Sequence, residues 1–150
     1  MKDRSSKQLK KATTCLNYQL RRTARLVTQY YDRALRPAGI RTGQFNLMIP
    51  VALRGAISVT ELAEILGMER SALARNLKPL ERKGWVSVSV GTDRRARIVR
   101  LTRNGQQLLR TVYPLWERAQ TDLSRALTGS DLRSLLTGLR AAATAVRAED

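Results

Sequence analysis

Histidine is absent from this 150-residue chain, and cysteine occurs once. Without imidazole there is no Ser–His or Cys–His nucleophile pair and no His-bearing zinc set. These gaps argue against an enzyme and against any cofactor or metal. A lone cysteine makes no internal disulfide, which suits a reducing compartment. Long apolar runs are missing too: nothing approaches the roughly 18 residues of a membrane span. The start, MKDRSSKQLKK, reads as a polar basic tail with no signal-peptide core. No membrane role is expected, and the expected location is the cytoplasm.

Acidic residues are the next scarcity, 12 Asp and Glu against 28 Lys and Arg, for a net charge of +16. The excess is +4 over residues 1–14, +3 over 15–69, +9 over 70–110 and 0 over 111–150. More than half of it sits in the 41 residues of the third window. A surface tuned only for solubility would mix signs, so this is the footprint of a polyanion-binding face. The hydrophobic content of 43% supports a packed core, either one domain or one core with a helical extension.

The periodicity predicts a first helix from Thr13 or Thr14 to about Leu35, with Leu16, Leu20, Ala24, Val27 and Tyr31 as its stripe and Pro37 and Gly39 as its end. Thr42 opens a second helix, in which Pro50 predicts a kink or an early end. Ser58-Val59-Thr60-Glu61 fits a capping box for a third helix that Gly67 closes. Glu69 is placed to cap a fourth, from Arg70 to about Lys83, with Leu73, Leu77 and Leu80 buried and a bend at Pro79. Trp85–Val90 and Arg97–Leu101 alternate as a two-stranded hairpin, with Val86, Val88 and Val90 on one face. A long helical segment follows, kinked at Pro114 and broken near Leu127–Asp131, then a last helix carrying Leu132, Leu135, Leu136, Leu139 and Val146.

A capped helix, a glycine turn, a basic helix and a hairpin, in that order, are the parts of a winged helix-turn-helix. In that motif the second helix enters the major groove. Its outer residues here are Arg70, Ser71, Ala72, Arg75, Asn76 and Lys78. Arg75 can bind guanine bidentately, Asn76 can pair with adenine, and Ala72 can touch a thymine methyl. Ser71 and Lys78 suit phosphates. The hairpin tip carries Arg94, Arg95 and Arg97, which can enter a narrow minor groove. Asp93 suits a wing-supporting role, accepting hydrogen bonds from the turn or from Arg95 or Arg97, although an ordinary turn aspartate would look the same.

The run ELAEILGMERSALARNLKPLERKGWV, with the DRR tip and VRLT-x-x-G after it, resembles the MarR (multiple antibiotic resistance regulator) family of dimeric winged-helix repressors. RTGQFNLM looks like that family's second helix. The resemblance implies a mainly α fold with a small β-hairpin wing, in which a DNA-binding winged helix spans about 42–103. Dimerisation helices would span about 13–36 and 104–148. It further implies a homodimer on a near-palindromic double-stranded operator, with Asp93 supporting Arg95 in the minor groove.

Members of the family commonly respond to a small aromatic or phenolic molecule or to cysteine oxidation. Cys15, near tyrosines at the start of the first helix, is the candidate redox sensor, by similarity to the organic hydroperoxide resistance branch; the bland alternative is a small buried hydrophobe. Tyr18, Arg25, Tyr31 and Phe45 are the candidate effector pocket. An architectural, weakly specific DNA-binding protein without an effector is the alternative function.

Overall fold

A computed structural model describes residues 2–92 and 95–148 of the chain. Its elements are α1 (Lys2–Ala12), α2 (Leu16–Leu35), a 3-10 turn (Arg36–Ala38), α3 (Thr42–Arg54), β1 (Ala56–Ser58), α4 (Val59–Leu66), α5 (Arg70–Arg82), β2 (Val86–Val90), β3 (Arg97–Leu101), α6 (Arg103–Ala126) and α7 (Gly129–Arg147). They form two compact units, the first ending at Val112 and the second beginning at Tyr113, so α6 contributes to both.

The first unit is built around leucines that the helical spacing places on one side. Leu35, Met48, Val51, Leu62, Leu73 and Leu80 are fully buried, with Ile57, Leu77, Val86 and Val99 beside them. Each such side chain contributes about 1.5–3 kcal/mol on burial, which is what fixes α3, α4 and α5 against the sheet. That sheet has three strands in the order β1-β3-β2, both pairings antiparallel. Ile57 faces Val99, and Val88 faces Val99 from the other side, so the three share the core face.

Several expectations are corrected here. The hairpin is not two-stranded, because Ala56–Ser58 joins the far edge of β3. The basic segment expected as a tail is helical from Lys2 to Ala12. The chain leaves that helix at Thr13 and Thr14, whose hydroxyls donate to the carbonyls of Lys10 and Lys11 at 2.7 Å, competing with continued helix.

The prolines do not end their helices: α3 continues through Pro50, α5 through Pro79 and α6 through Pro114. An interior proline costs about 3 kcal/mol, and in the first two helices the burial of Met48 and Val51, and of Leu77 and Leu80, offsets it. Ser58 does cap α4, its Oγ accepting from the Glu61 amide at 3.1 Å. The Glu61 carboxylate pairs with Arg54 at 3.2 Å. Glu69 precedes α5 without a side-chain cap. Along β2 burial fades from Val86 to an exposed Val90, so only the base of the wing rests on the core.

The second unit holds the last part of α6 and α7. Within it the rings of Tyr113 and Trp116 pack at a tilt of 40° with centroids 5.6 Å apart, and Thr128 donates to the Asp131 carboxylate at the start of α7. Leu135, Leu136, Leu139 and Val146 of α7 remain exposed.

Candidate nucleic-acid interface

Two glycines shape the reading head. At the end of α4, Gly67 adopts φ 62, ψ 40. Its amide reaches the Glu64 carbonyl at 3.2 Å and the Met68 amide reaches Ala63 at 2.9 Å. At the end of α5, Gly84 has φ 67, its amide bonding Glu81 at 2.8 Å and that of Trp85 bonding Leu80 at 2.9 Å. Both are Schellman endings, which need positive φ at the glycine. The first sets the turn between α4 and α5; the second sends the chain directly into the wing.

A third glycine locks the base of the wing to the first turn of α6. Thr102 donates from its hydroxyl to the Gly84 carbonyl at 2.5 Å and from its amide to Trp85 at 3.1 Å. The Thr102 hydroxyl also accepts from the Gly105 amide at 3.0 Å. A Cβ on Gly105 would lie 1.9 Å from the Trp85 carbonyl oxygen, so only glycine fits. The T-x-x-G pattern is thus a clamp between the end of α5, the wing and the start of α6.

With Leu73, Leu77 and Leu80 held inward, α5 exposes Arg70, Ser71, Arg75, Asn76 and Lys78, while Ala72 is half-buried. At about 100° per residue, Ser71, Arg75, Lys78 and Arg82 fall on the face opposite the leucines. Arg70 and Asn76 flank the buried stripe instead, roughly 60° from Leu73 by the same rotation. Arg75, Lys78 and Arg82 border one shallow groove along the helix. Arg82 is the residue that sequence reasoning left out of the site, and its spacing of seven from Arg75 was the available signal. Lys83 is drawn aside, its Nζ 4.3 Å from the centre of the Trp85 ring.

In the wing, Gly91 bonds Ala96 at 2.8 Å beneath the tip, and Arg95 and Arg97 are exposed. Arg100 is exposed on the outer face of β3 and donates to Ser89 Oγ at 3.3 Å. Asp93 and Arg94 lie outside the described residues.

The sensor candidates do not assemble into one place. Cys15 is exposed at the residue that caps α2. Tyr18 and Arg25 are exposed on α2, whereas Tyr31 and Phe45 are buried in the core. Tyr18 and Tyr31 are thirteen residues apart on one helix, about 20 Å at 1.5 Å per residue. Tyr31 meets Tyr30 edge to face at 5.5 Å, and burial, then the neighbouring phenol, raises its pKa above 10.0. Among the described residues no group of three or more Cys, Asp or Glu could hold a metal, and no helix is long and apolar enough to cross a membrane.

Residues 39–96, from just before α3 to the wing, match the family model described as MarR family. The multiple antibiotic resistance protein MarR of Salmonella typhimurium is 31% identical over 108 residues, 69% of this chain and 73% of that protein. The chain belongs to the MarR family. This family and its relatives are transcriptional regulators rather than enzymes. An HTH-type transcriptional regulator of Bacillus subtilis, YwaE, is 30% identical over 96 residues, and that match spans 63% of this chain and 56% of YwaE's length. The structure of the Mycobacterium tuberculosis transcriptional regulator MosR in complex with DNA is similar at a TM-score of 0.78 and 36% identity. That similarity covers 89% of this chain and 98% of MosR. The region matched by the MarR model contains the α4–α5 turn and β2 and stops at the foot of β3, so that β3 and the clamp at Thr102 and Gly105 lie just beyond it.

Proposed function

We propose that this MarR-family chain is a sequence-specific transcriptional repressor that binds a near-palindromic operator as a homodimer. The observation that carries the reading is the exposed stripe Ser71, Arg75 and Lys78 on α5, held outward by three buried leucines and followed directly by an arginine-bearing wing. In this reading Arg75 contacts a guanine, Ala72 and Asn76 border base edges, and Arg70, Ser71 and Lys78 engage phosphates. Arg94, Arg95 and Arg97 serve the minor groove, with Asp93 as wing support.

The winged helix spans about 42–103, and helices at about 13–36 and 104–148 make the dimer. Supporting the dimer, α7 leaves Leu135, Leu136 and Leu139 exposed along one side, as α2 does Leu16 and Leu26. Repression follows from occupancy of the operator, in the cytoplasm. Competition between genomic fragments and random duplex tests the reading. A repressor prefers its operator by about 10³-fold or more at physiological salt, and equal affinity for both would favour the architectural alternative.

The release signal has two readings, oxidation of Cys15 or binding of an aromatic or phenolic molecule, for which Tyr18, Arg25, Tyr31 and Phe45 are candidates that do not form one pocket within a single chain. Exposure of Cys15 at a helix cap favours the first, since oxidation needs access. Peroxide that weakens operator binding of the native protein but not of Cys15→Ser supports oxidation; indifference of both removes that reading.

A further inference from the structure

A second gathering of positive charge shares no residue with the α5 groove or the wing. Where α2 turns through the 3-10 segment into α3, a cleft of about 540 Å³ is bordered by Gln29, Asp32, Arg33, Arg36 and Arg41. Three guanidinium groups thus face one carboxylate, and that carboxylate is committed: Asp32 Oδ1 accepts from the Thr42 amide at 2.7 Å. None of the three arginines makes an ion pair among the described residues, in contrast to Arg54 with Glu61.

The start of the 13-residue helix α3 adds to the same field, because a helix N-terminus carries about half a positive charge. A Cβ on Gly43 would meet nothing within 4 Å, so the approach to the helix start is open.

We infer that this cleft binds an oxyanion of the phosphate type. Forked guanidinium groups match tetrahedral oxygens, and a helix N-terminus supplies further positive potential. Either a free phosphate or one phosphate of the DNA backbone has this chemistry. An anion here joins the end of α2 to the start of α3 through Arg33, Arg36 and Arg41, and so stiffens the entry into the DNA-reading unit. The inference goes beyond the operator reading and does not depend on it.

The test uses the full chain, an Arg36→Gln/Arg41→Gln double variant and an Arg133→Gln/Arg140→Gln control with the same charge loss on α7. Both pairs are exposed, so the fold should tolerate them. Thermal melts compare sodium phosphate with sodium chloride at matched ionic strength. Phosphate is expected to raise the Tm of the native protein and the control by several degrees and that of the double variant by clearly less. A salt titration of DNA binding identifies the source. If a backbone phosphate occupies the cleft, the slope of log K against log salt falls by about 1–2 in the double variant. If free phosphate is the occupant, the slope matches the control and only the melts differ. Equal phosphate response and equal slope in the double variant and the control overturn the inference. The melting arm involves no DNA, so it holds whether or not an operator is found.

Discussion

Gly105→Ala sets two effects of opposite sign against each other in the first turn of α6. By helix propensity alone, alanine should stabilise an interior position by about 0.8–1.0 kcal/mol over glycine. The packing says otherwise. The added methyl would sit 1.9 Å from the Trp85 carbonyl oxygen and 2.9 Å from its carbon. Both obstacles are backbone, which cannot swing aside as a side chain can. Even a separation of 3.0 Å, the tightest that real Cβ atoms tolerate, requires a retreat of about 1.1 Å.

Such a retreat pulls on the bonds of Thr102 to Gly84 and Trp85 and on that of Gly105 to Thr102. Overpacking costs about 1–3 kcal/mol and each stretched bond up to about 1 kcal/mol, so the clash outweighs propensity. The expected result is a net loss of about 1–3 kcal/mol, or a Tm lower by about 3–10 °C for a chain of this size. Urea denaturation followed by far-UV circular dichroism measures it. Gly43→Ala, also in the first turn of a helix but with open space around the new methyl, is the control and should be as stable as the native protein or more so, by up to about 1 kcal/mol. A Gly105→Ala protein as stable as the native one, or more so, would refute the close approach.

Four other outcomes are expected. Arg75→Ala should weaken operator binding by about 1–3 kcal/mol and relax preference at one base pair in each half-site, read by binding to a panel of single-substitution duplexes. Lys78→Ala should instead weaken binding to every duplex alike and lower the salt slope by about 1, so base-dependent loss there would contradict a phosphate role. Leu139→Glu on the exposed face of α7 should shift the protein toward monomer in sedimentation and weaken operator binding with it, and an unchanged dimer would move the interface elsewhere. The last concerns pH. Because the pKa of Tyr31 is raised in the folded chain, the stability tied to its neutral form is intact below pH 10.0 and is lost as pH rises above that value. Tyr31→Phe should remove that part of the alkaline loss in urea titrations across pH 9–11.

What could be read from the sequence was local. The spacing of Leu73, Leu77 and Leu80 located the buried side of α5, and Gly67 announced the turn before it, because helix period and positive φ act over a few residues. The strand Ala56–Ser58 was not visible. It has one buried apolar residue, Ile57, and exists because β3, some forty residues on, offers it an edge. Of the two outcomes expected at Pro50, the early end does not occur, because buried neighbours such as Met48 and Val51 hold α3 together beyond it. At the site, the stripe through Arg75 and Lys78 followed from the sequence, whereas the sideways placement of Asn76 and the inclusion of Arg82 required the helix to be turned residue by residue. The clamp of Thr102 and Gly105 was recognisable as a pattern, but its cause, contact with Trp85, is tertiary.

The central position of β3 bears on how readily this protein could change the DNA it prefers. Bonded to β1 over Ile98–Arg100 and to β2 over Arg97–Leu101, the strand has no free edge along its base. A slip of one residue would put Arg100 into the core in place of Val99. Insertions and deletions are therefore tolerated only between Val90 and Arg97, beyond the last paired residues. On the proposed reading of the wing as a minor-groove contact, drift in that short window would retune preference while the folded head stays as it is, which puts new operators within reach of small genetic changes.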